Sequence, residues 1–149
     1  MKKSLNITLA ILLILTAFPG GCKHKEKTPS QSNPQAEKIA TEAAANWLEL
    51  VDSEQYDQSW QQTATFFQSA VKNDDWQQSL QAFRKPLGKI VSRKLIFTHY
   101  TTSAPGAPDG QYVIIQYDST FENKKSAVET VTPMLDKDGK WKVSGYYIR

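Results

Sequence analysis

The sequence predicts an α+β domain in which three N-terminal helices pack on one face of a curved four-stranded antiparallel sheet. Apolar residues recur at helical spacing up to about residue 85. Four extended runs then follow, rich in β-branched and aromatic residues and separated by turn-forming residues. Helices that precede a block of strands are typical of segregated α+β domains. The 149 residues suffice for one such domain with a short extra segment, and they exclude two large domains.

The first two helices are predicted from a capping signal and from apolar spacing. Asn33-Pro34 is typical of an N-cap followed by proline at the first helical position, and the apolar period that follows extends to about Asp52. Asp52 or Ser53 can cap a second helix, whose apolar residues continue from Tyr56 past Thr63 to residue 71.

The third helix is predicted between Asn73, as its cap, and Lys85. Its apolar face consists of Trp76, Leu80 and Phe83. Pro86 disfavours a helical conformation for the residue before it, so the helix must end near Lys85.

The strands are predicted near residues 90–102, 111–122, 126–136 and 140–148, and the short connections favour an antiparallel meander. Alternation of apolar and polar residues predicts a sheet with one buried and one solvent-exposed face. The residues expected on the buried face are Val113, Ile115, Tyr117 and Phe121 in the second strand and Trp141, Val143 and Tyr147 in the fourth.

The N-terminus has the layout of an export signal. A basic start is followed by an apolar run over residues 5–18 and then by Pro19-Gly20-Gly21-Cys22. This ending resembles a bacterial lipobox, in which the cysteine is lipidated, although Pro19 departs from the large aliphatic residue of that pattern. We therefore expect a signal peptide over residues 1–21, a lipidated Cys22 with a flexible tether to residue 33, and a domain over 34–149. An ordinary secretory signal that leaves a free thiol is the alternative.

This layout predicts a protein of the bacterial cell envelope. Lys23 follows the cysteine where lipoproteins retained at the inner membrane resemble one another in having aspartate, so the outer membrane, facing the periplasm, is the expected location. Without residues 1–21 the formal charge falls from +3 to about +1, which favours no polyanionic partner. We expect no nucleic acid partner and no cofactor.

Several motifs together resemble the bacterial family catalogued as domain of unknown function 4019. They are Arg84-Lys85-Pro86-Leu87-Gly88, Arg93, Glu129-Thr130-Val131 and the segment from Asp138 to Tyr146. The resemblance extends from Ala36 to Arg149. It implies an exported protein with a cystatin-like cone fold similar to nuclear transport factor two and the ketosteroid isomerases. It implies no particular activity.

The sequence lacks the phosphate-loop, nucleophile-elbow and two-histidine metal motifs of common enzyme classes. Glu129 and His99 are the weak catalytic candidates, on predicted strands. An inward-facing Glu129 among aromatic rings would suit a general base, whereas an ion pair with Arg93 or Arg84, or plain solvent exposure, is the simpler interpretation. For His99, the simpler interpretation is a partly buried ring with a structural role.

A ligand pocket inside the cone has its own candidate residues. Arg93 can hold an anionic group in a bidentate geometry, and large aromatic rings can either line a cavity or simply fill the core. The residues predicted to line such a pocket are Arg93, Trp60, Tyr117, Glu129 and Trp141.

These observations favour a non-enzymatic, membrane-anchored binding or interaction domain for a small apolar ligand or an envelope protein. One alternative is a small hydrolase or isomerase that uses Glu129 as its general base. The other is a structural module that forms a homodimer through its sheet.

Overall fold

In the computed structural model, which describes residues 32–149, helix α1 spans Pro34–Asp52. The amide of Ala36 donates a hydrogen bond to the side-chain oxygen of Asn33 over 3.1 Å, which confirms the predicted N-cap. The buried face of α1 carries Ala36, Ala40, Ala44, Trp47, Leu48 and Val51.

The predicted second helix is in fact two short helices, α2 (Tyr56–Gln61) and α3 (Thr65–Ala70). The chain is interrupted between them because the amide of Ala64 donates to the carbonyl of Val143 over 2.8 Å. The expected capping by Asp52 or Ser53 is wrong: Gln55 occupies the N-cap of α2 and makes no side-chain capping bond. Asp52 instead binds two arginines.

Helix α4 (Asn73–Phe83) is followed by a 3₁₀ turn over Lys85–Leu87, so the chain does leave the α-helix before Pro86. Asn73 is the first helical residue rather than the cap, which is Lys72. Trp76 and Leu80 are buried as predicted, whereas Phe83 is 77% exposed. The expected core position of Phe83 is therefore wrong.

The strands are β1 (Ile90–Thr101), β2 (Tyr112–Phe121), β3 (Lys124–Leu135) and β4 (Trp141–Ile148). They form one curved antiparallel sheet in the order β1-β2-β3-β4, which confirms the predicted meander. Alternation along β2 is also as predicted, because Val113, Ile115, Tyr117 and Phe121 are all buried.

A bulge in β4 reverses its alternation near the C-terminus. In the pairing with β3, Val143 lies opposite Pro133 and Tyr146 lies opposite Val131. Three steps along β4 therefore match two steps along β3, so β4 contains one extra residue there. Tyr146 consequently packs against the helices, and Tyr147 is 54% exposed. The expectation that Tyr147 shares the buried face of Val143 is wrong for this reason.

The layer between helices and sheet is built around aromatic rings and one buried serine. Trp47 contacts Trp76 and Tyr146 with ring centroids 6.0 and 5.4 Å apart. The indole of Trp47 donates to the carbonyl of Ser59 over 2.8 Å, and that of Trp76 donates to the Ser59 hydroxyl over 2.9 Å. Each indole ring is therefore buried with its N–H group hydrogen-bonded.

The predicted signal peptide, the lipidation of Cys22 and nearly all of the tether lie outside the described residues. Within residues 32–149, no helix has the length and apolar character needed to span a membrane.

Candidate functional site

Four charged residues from four different elements meet between α1 and the sheet, and we call them the buried ion cluster. They are Asp52 at the end of α1, Arg84 after α4, Arg93 of β1 and Glu129 of β3. The Glu129 side chain is completely inaccessible to solvent, and that of Arg84 is only 4% exposed. Two positive and two negative charges balance one another in the cluster.

Every acceptor position of the Glu129 carboxylate is occupied. Oε2 accepts from Arg93 Nε over 2.7 Å and from the Ser119 hydroxyl over 2.5 Å. Oε1 accepts from Arg93 Nη2 over 3.1 Å and from the Tyr146 hydroxyl over 2.7 Å. A general base needs a lone pair within reach of a substrate proton, and this arrangement offers none.

Asp52 joins the two arginines. Its carboxylate accepts from Arg93 Nη1 over 2.8 Å and from Arg84 Nη2 over 3.0 Å. Arg84 also donates to the carbonyl of Gly88 over 2.7 Å, and its guanidinium carbon lies 4.5 Å from the centroid of the Phe121 ring. The cluster thus ties the end of α1 and the turn after α4 to the sheet.

Neighbouring charges and burial shift the pKa values of groups around the cluster. Burial alone would lower the pKa of Arg93, but its hydrogen bonds to Asp52 and Glu129 outweigh burial and raise the pKa. Burial raises the pKa of Tyr146 well above its ordinary value, and the adjacent Glu129 charge adds to this. The pKa of Tyr117 is also raised, mainly by burial. Arg93 therefore stays charged and both phenols stay neutral near pH 7.

A cavity of about 350 Å³ lies beside the cluster, between α4, the 3₁₀ turn and the ends of β3 and β4. Trp76, Leu80 and Tyr146 are its buried or half-buried apolar lining, while the exposed rings of Phe83 and Tyr147 stand at its rim. Its volume is within the range of about 300–1,000 Å³ typical of small-molecule sites. The remaining lining residues are Ser79, Arg84, Leu87, Lys124, Ile148 and Arg149.

The pocket residues predicted from sequence lie elsewhere in the domain. Arg93 and Glu129 belong to the buried ion cluster, and Tyr117 is buried on β2. Trp60 and Trp141 pack against the helix–sheet core, and the Trp60 indole donates to the carbonyl of Val71 over 2.8 Å. The structure brings Arg93 and Glu129 together, and none of the five side chains lines the cavity.

His99 is separated from Glu129 by the sheet. Its neighbour Tyr100 faces the buried core, so strand alternation places His99 on the opposite face, where it is half-buried. Its ring stacks on Phe97 with centroids 6.0 Å apart. The two weak catalytic candidates therefore share no site.

The cavity could not be predicted from the sequence because its lining comes from three distant parts of the chain: residues 76–87, Lys124 and residues 146–149. In the sequence Arg84 looks like a cation that simply stabilises a helix end, and Phe83 belongs to the predicted apolar face of the third helix. A usable signal was the pair Tyr146-Tyr147, which requires one ring to face away from the core if the strand is regular.

Two further clefts lie next to the loop between β1 and β2, with volumes of about 590 and 540 Å³, and the second shares Tyr147 with the cavity. One is lined by Asp109 and Asp136 among others, and the other mainly by apolar residues that include Phe66 and Tyr112. Neither contacts the buried ion cluster, whereas a smaller cleft of about 190 Å³ is lined by Asp52 and Arg84 among others. Among residues 32–149, no group of three His, Cys, Asp or Glu side chains could hold a metal ion.

The fold and this site define a class of protein: an α+β domain with an apolar cavity beside a neutralised buried ion cluster. A family model described as a protein of unknown function, DUF4019, matches residues 43–146. The chain belongs to this family. A search of curated proteins finds no match.

Proposed function

We propose that this protein is a non-enzymatic binding domain that takes up a small apolar molecule in the cavity beside the buried ion cluster. The observation that carries the proposal is the lining of that cavity, in which apolar and aromatic side chains predominate: Trp76, Leu80, Phe83, Leu87, Tyr146, Tyr147 and Ile148. Phe83 and Tyr147, two of the most exposed large apolar side chains of the described residues, stand at its rim. Exposed apolar groups that gather at a concavity mark interaction sites.

The buried ion cluster supports a binding role better than a catalytic one. Its carboxylates are held by arginines, and Glu129 has no contact with the cavity. The element order of four α-helices followed by a meander supports a cone fold similar to nuclear transport factor two. Because that fold carries both enzymes and binding modules, our preference for a binding role is based on the site and not on the fold.

Binding is testable with the uncharged fluorescent probe N-phenyl-1-naphthylamine, whose emission rises in apolar surroundings. We expect saturable binding to the chain that carries Cys22→Ser, and at least tenfold weaker binding when Ser79→Phe fills the cavity. Gln78→Phe is the matched control because Gln78 lies next to Ser79 on α4 and does not line the cavity. Equal binding by both variants would contradict the proposal.

We also propose that the domain is anchored to the bacterial envelope through acyl chains on Cys22. The lipobox-like sequence supports this anchor, because two or three acyl chains are enough for stable membrane attachment. The mass of the mature N-terminus from the native host is expected to show a diacylglyceryl or triacyl adduct on Cys22. Cys22→Ser should abolish the adduct and move the protein to the soluble fraction. An unmodified N-terminus would show that Pro19 prevents processing as a lipoprotein.

The formation of a homodimer through the sheet stays a prediction. The surface it would use includes exposed apolar residues of β1, the edge strand next to β2: Leu95, Ile96 and Phe97.

A further inference from the structure

We propose that the cavity selects a single-chain apolar molecule with an anionic head group. This inference rests on the proposed function, because it names the class of ligand for the same site. It follows from the charges around the cavity. Three cationic residues line it, and its eleven lining residues include no aspartate or glutamate: the cations are Arg84, Lys124 and Arg149.

Two of these cations are available to a ligand. Lys124 opens β3 and Arg149 follows β4, and neither forms an ion pair with any carboxylate of the described residues. By contrast, Lys85 and Lys142, two other cations, are paired with Glu54 and with Asp136 and Asp138. An unpaired cation beside an apolar cavity attracts an anion more strongly than it would in open water.

The third cation has an unused donor. The guanidinium of Arg84 donates through Nη1 and Nη2, but Nε is buried and has no hydrogen-bond partner among the described residues. A buried donor left without an acceptor is destabilising. Although Arg84 lines the cavity, its Nε is itself buried, so the selection of an anion depends on Lys124 and Arg149.

The size and lining of the cavity determine which apolar part the ligand can have. About 350 Å³ accommodates one alkyl chain or one ring system, and it is too small for a two-chain phospholipid. The apolar walls formed by Trp76, Leu80, Leu87 and Ile148 would hold that chain. A carboxylate, as in a free fatty acid, and a phosphate, as in a lysophospholipid, share the required charge.

Displacement of bound N-phenyl-1-naphthylamine tests the inference with three matched ten-carbon probes at pH 8: decanoate, decyl phosphate and uncharged decanol. Because charge-assisted hydrogen bonds strengthen the binding of an anion, we expect an anionic probe to displace N-phenyl-1-naphthylamine at about tenfold lower concentration than decanol does. The double variant Lys124→Gln with Arg149→Gln should lose most of this preference. Lys94→Gln, an exposed cation of β1 outside the cavity, should retain it.

The outcomes separate this inference from the proposed function. Equal displacement by decanol and by both anions, or a preference that survives in the double variant, overturns the anionic selectivity and leaves apolar binding intact. Failure of the fluorescent probe to bind at all overturns both. A preference for decanoate supports a fatty-acid-like ligand, and one for decyl phosphate supports a single-chain phosphate lipid. Arg84 itself is left unchanged because its replacement would disrupt the buried ion cluster.

Discussion

Replacing Arg93 with alanine is expected to lower the free energy of unfolding by about 3–5 kcal/mol. Arg93 donates two hydrogen bonds to Glu129 and two to Asp52. Its removal leaves the fully buried Glu129 carboxylate without a countercharge, and a buried charge without its partner is strongly destabilising. Urea denaturation followed by tryptophan fluorescence measures the change.

Two controls show whether the loss arises from the unpaired charge. The pair Arg93→Met with Glu129→Gln removes both charges and keeps a polar partner for each hydroxyl, because the amide oxygen can accept from one of Ser119 and Tyr146 and the amide N–H₂ can donate to the other; it should destabilise less than Arg93→Ala alone. Lys85→Ala breaks an exposed ion pair with Glu54 and should leave the urea midpoint nearly unchanged. If Arg93→Ala has no larger effect than Lys85→Ala, the cluster does not hold the helices to the sheet.

Replacing Trp47 with alanine is expected to cost a similar amount, about 3–5 kcal/mol. The Trp47 side chain is 3% exposed, contacts Trp76 and Tyr146, and donates to the carbonyl of Ser59. Its removal opens a cavity in the helix–sheet layer and leaves that carbonyl without its indole donor. The destabilisation therefore combines lost burial, lost contacts and a lost hydrogen bond.

The matched control for Trp47→Ala is Phe83→Ala, because Phe83 is also aromatic but 77% exposed at the rim of the cavity. It should change the free energy of unfolding little. Thermal and urea unfolding of both variants provide the comparison. Comparable destabilisation by the two substitutions would contradict the assignment of Trp47 to the core.

The order of elements could be predicted from the sequence because it depends on local signals. Asn33-Pro34 marks the start of α1, Pro86 marks the end of the α-helical half, and alternation along β2 identifies its buried face. Each signal involves residues close together in the chain, where capping, proline geometry and side-chain period act directly.

The errors come from interactions between distant residues. Asp52 has the chemistry of a helix cap, but two arginines from other elements bind it instead. The second helix is divided because Ala64 bonds to β4, and the bulge in β4 reverses the positions of Tyr146 and Tyr147. None of these pairings has a local signature.

The candidate site was harder to predict than the fold for the same reason. An ion pair between Glu129 and Arg93 was one of the alternatives for Glu129, but its strand gave no clear alternation: Glu129, Thr130 and Val131 are all buried. The cavity joins α4 to the end of β4, elements that are far apart in sequence. Its charge selectivity depends on Lys124 and Arg149, which look like ordinary surface cations when the sequence is considered alone.

The central claim, that the cavity beside the buried ion cluster binds a small apolar molecule, is tested most directly by amide NMR spectra of the Cys22→Ser chain titrated with N-phenyl-1-naphthylamine. We predict that the largest shifts fall on residues of α4 and β4 that line the cavity and not the other clefts, among them Trp76, Leu80 and Ile148. Shifts centred instead on the cleft of Phe66 and Tyr112, or spread evenly over the domain, would contradict the claim.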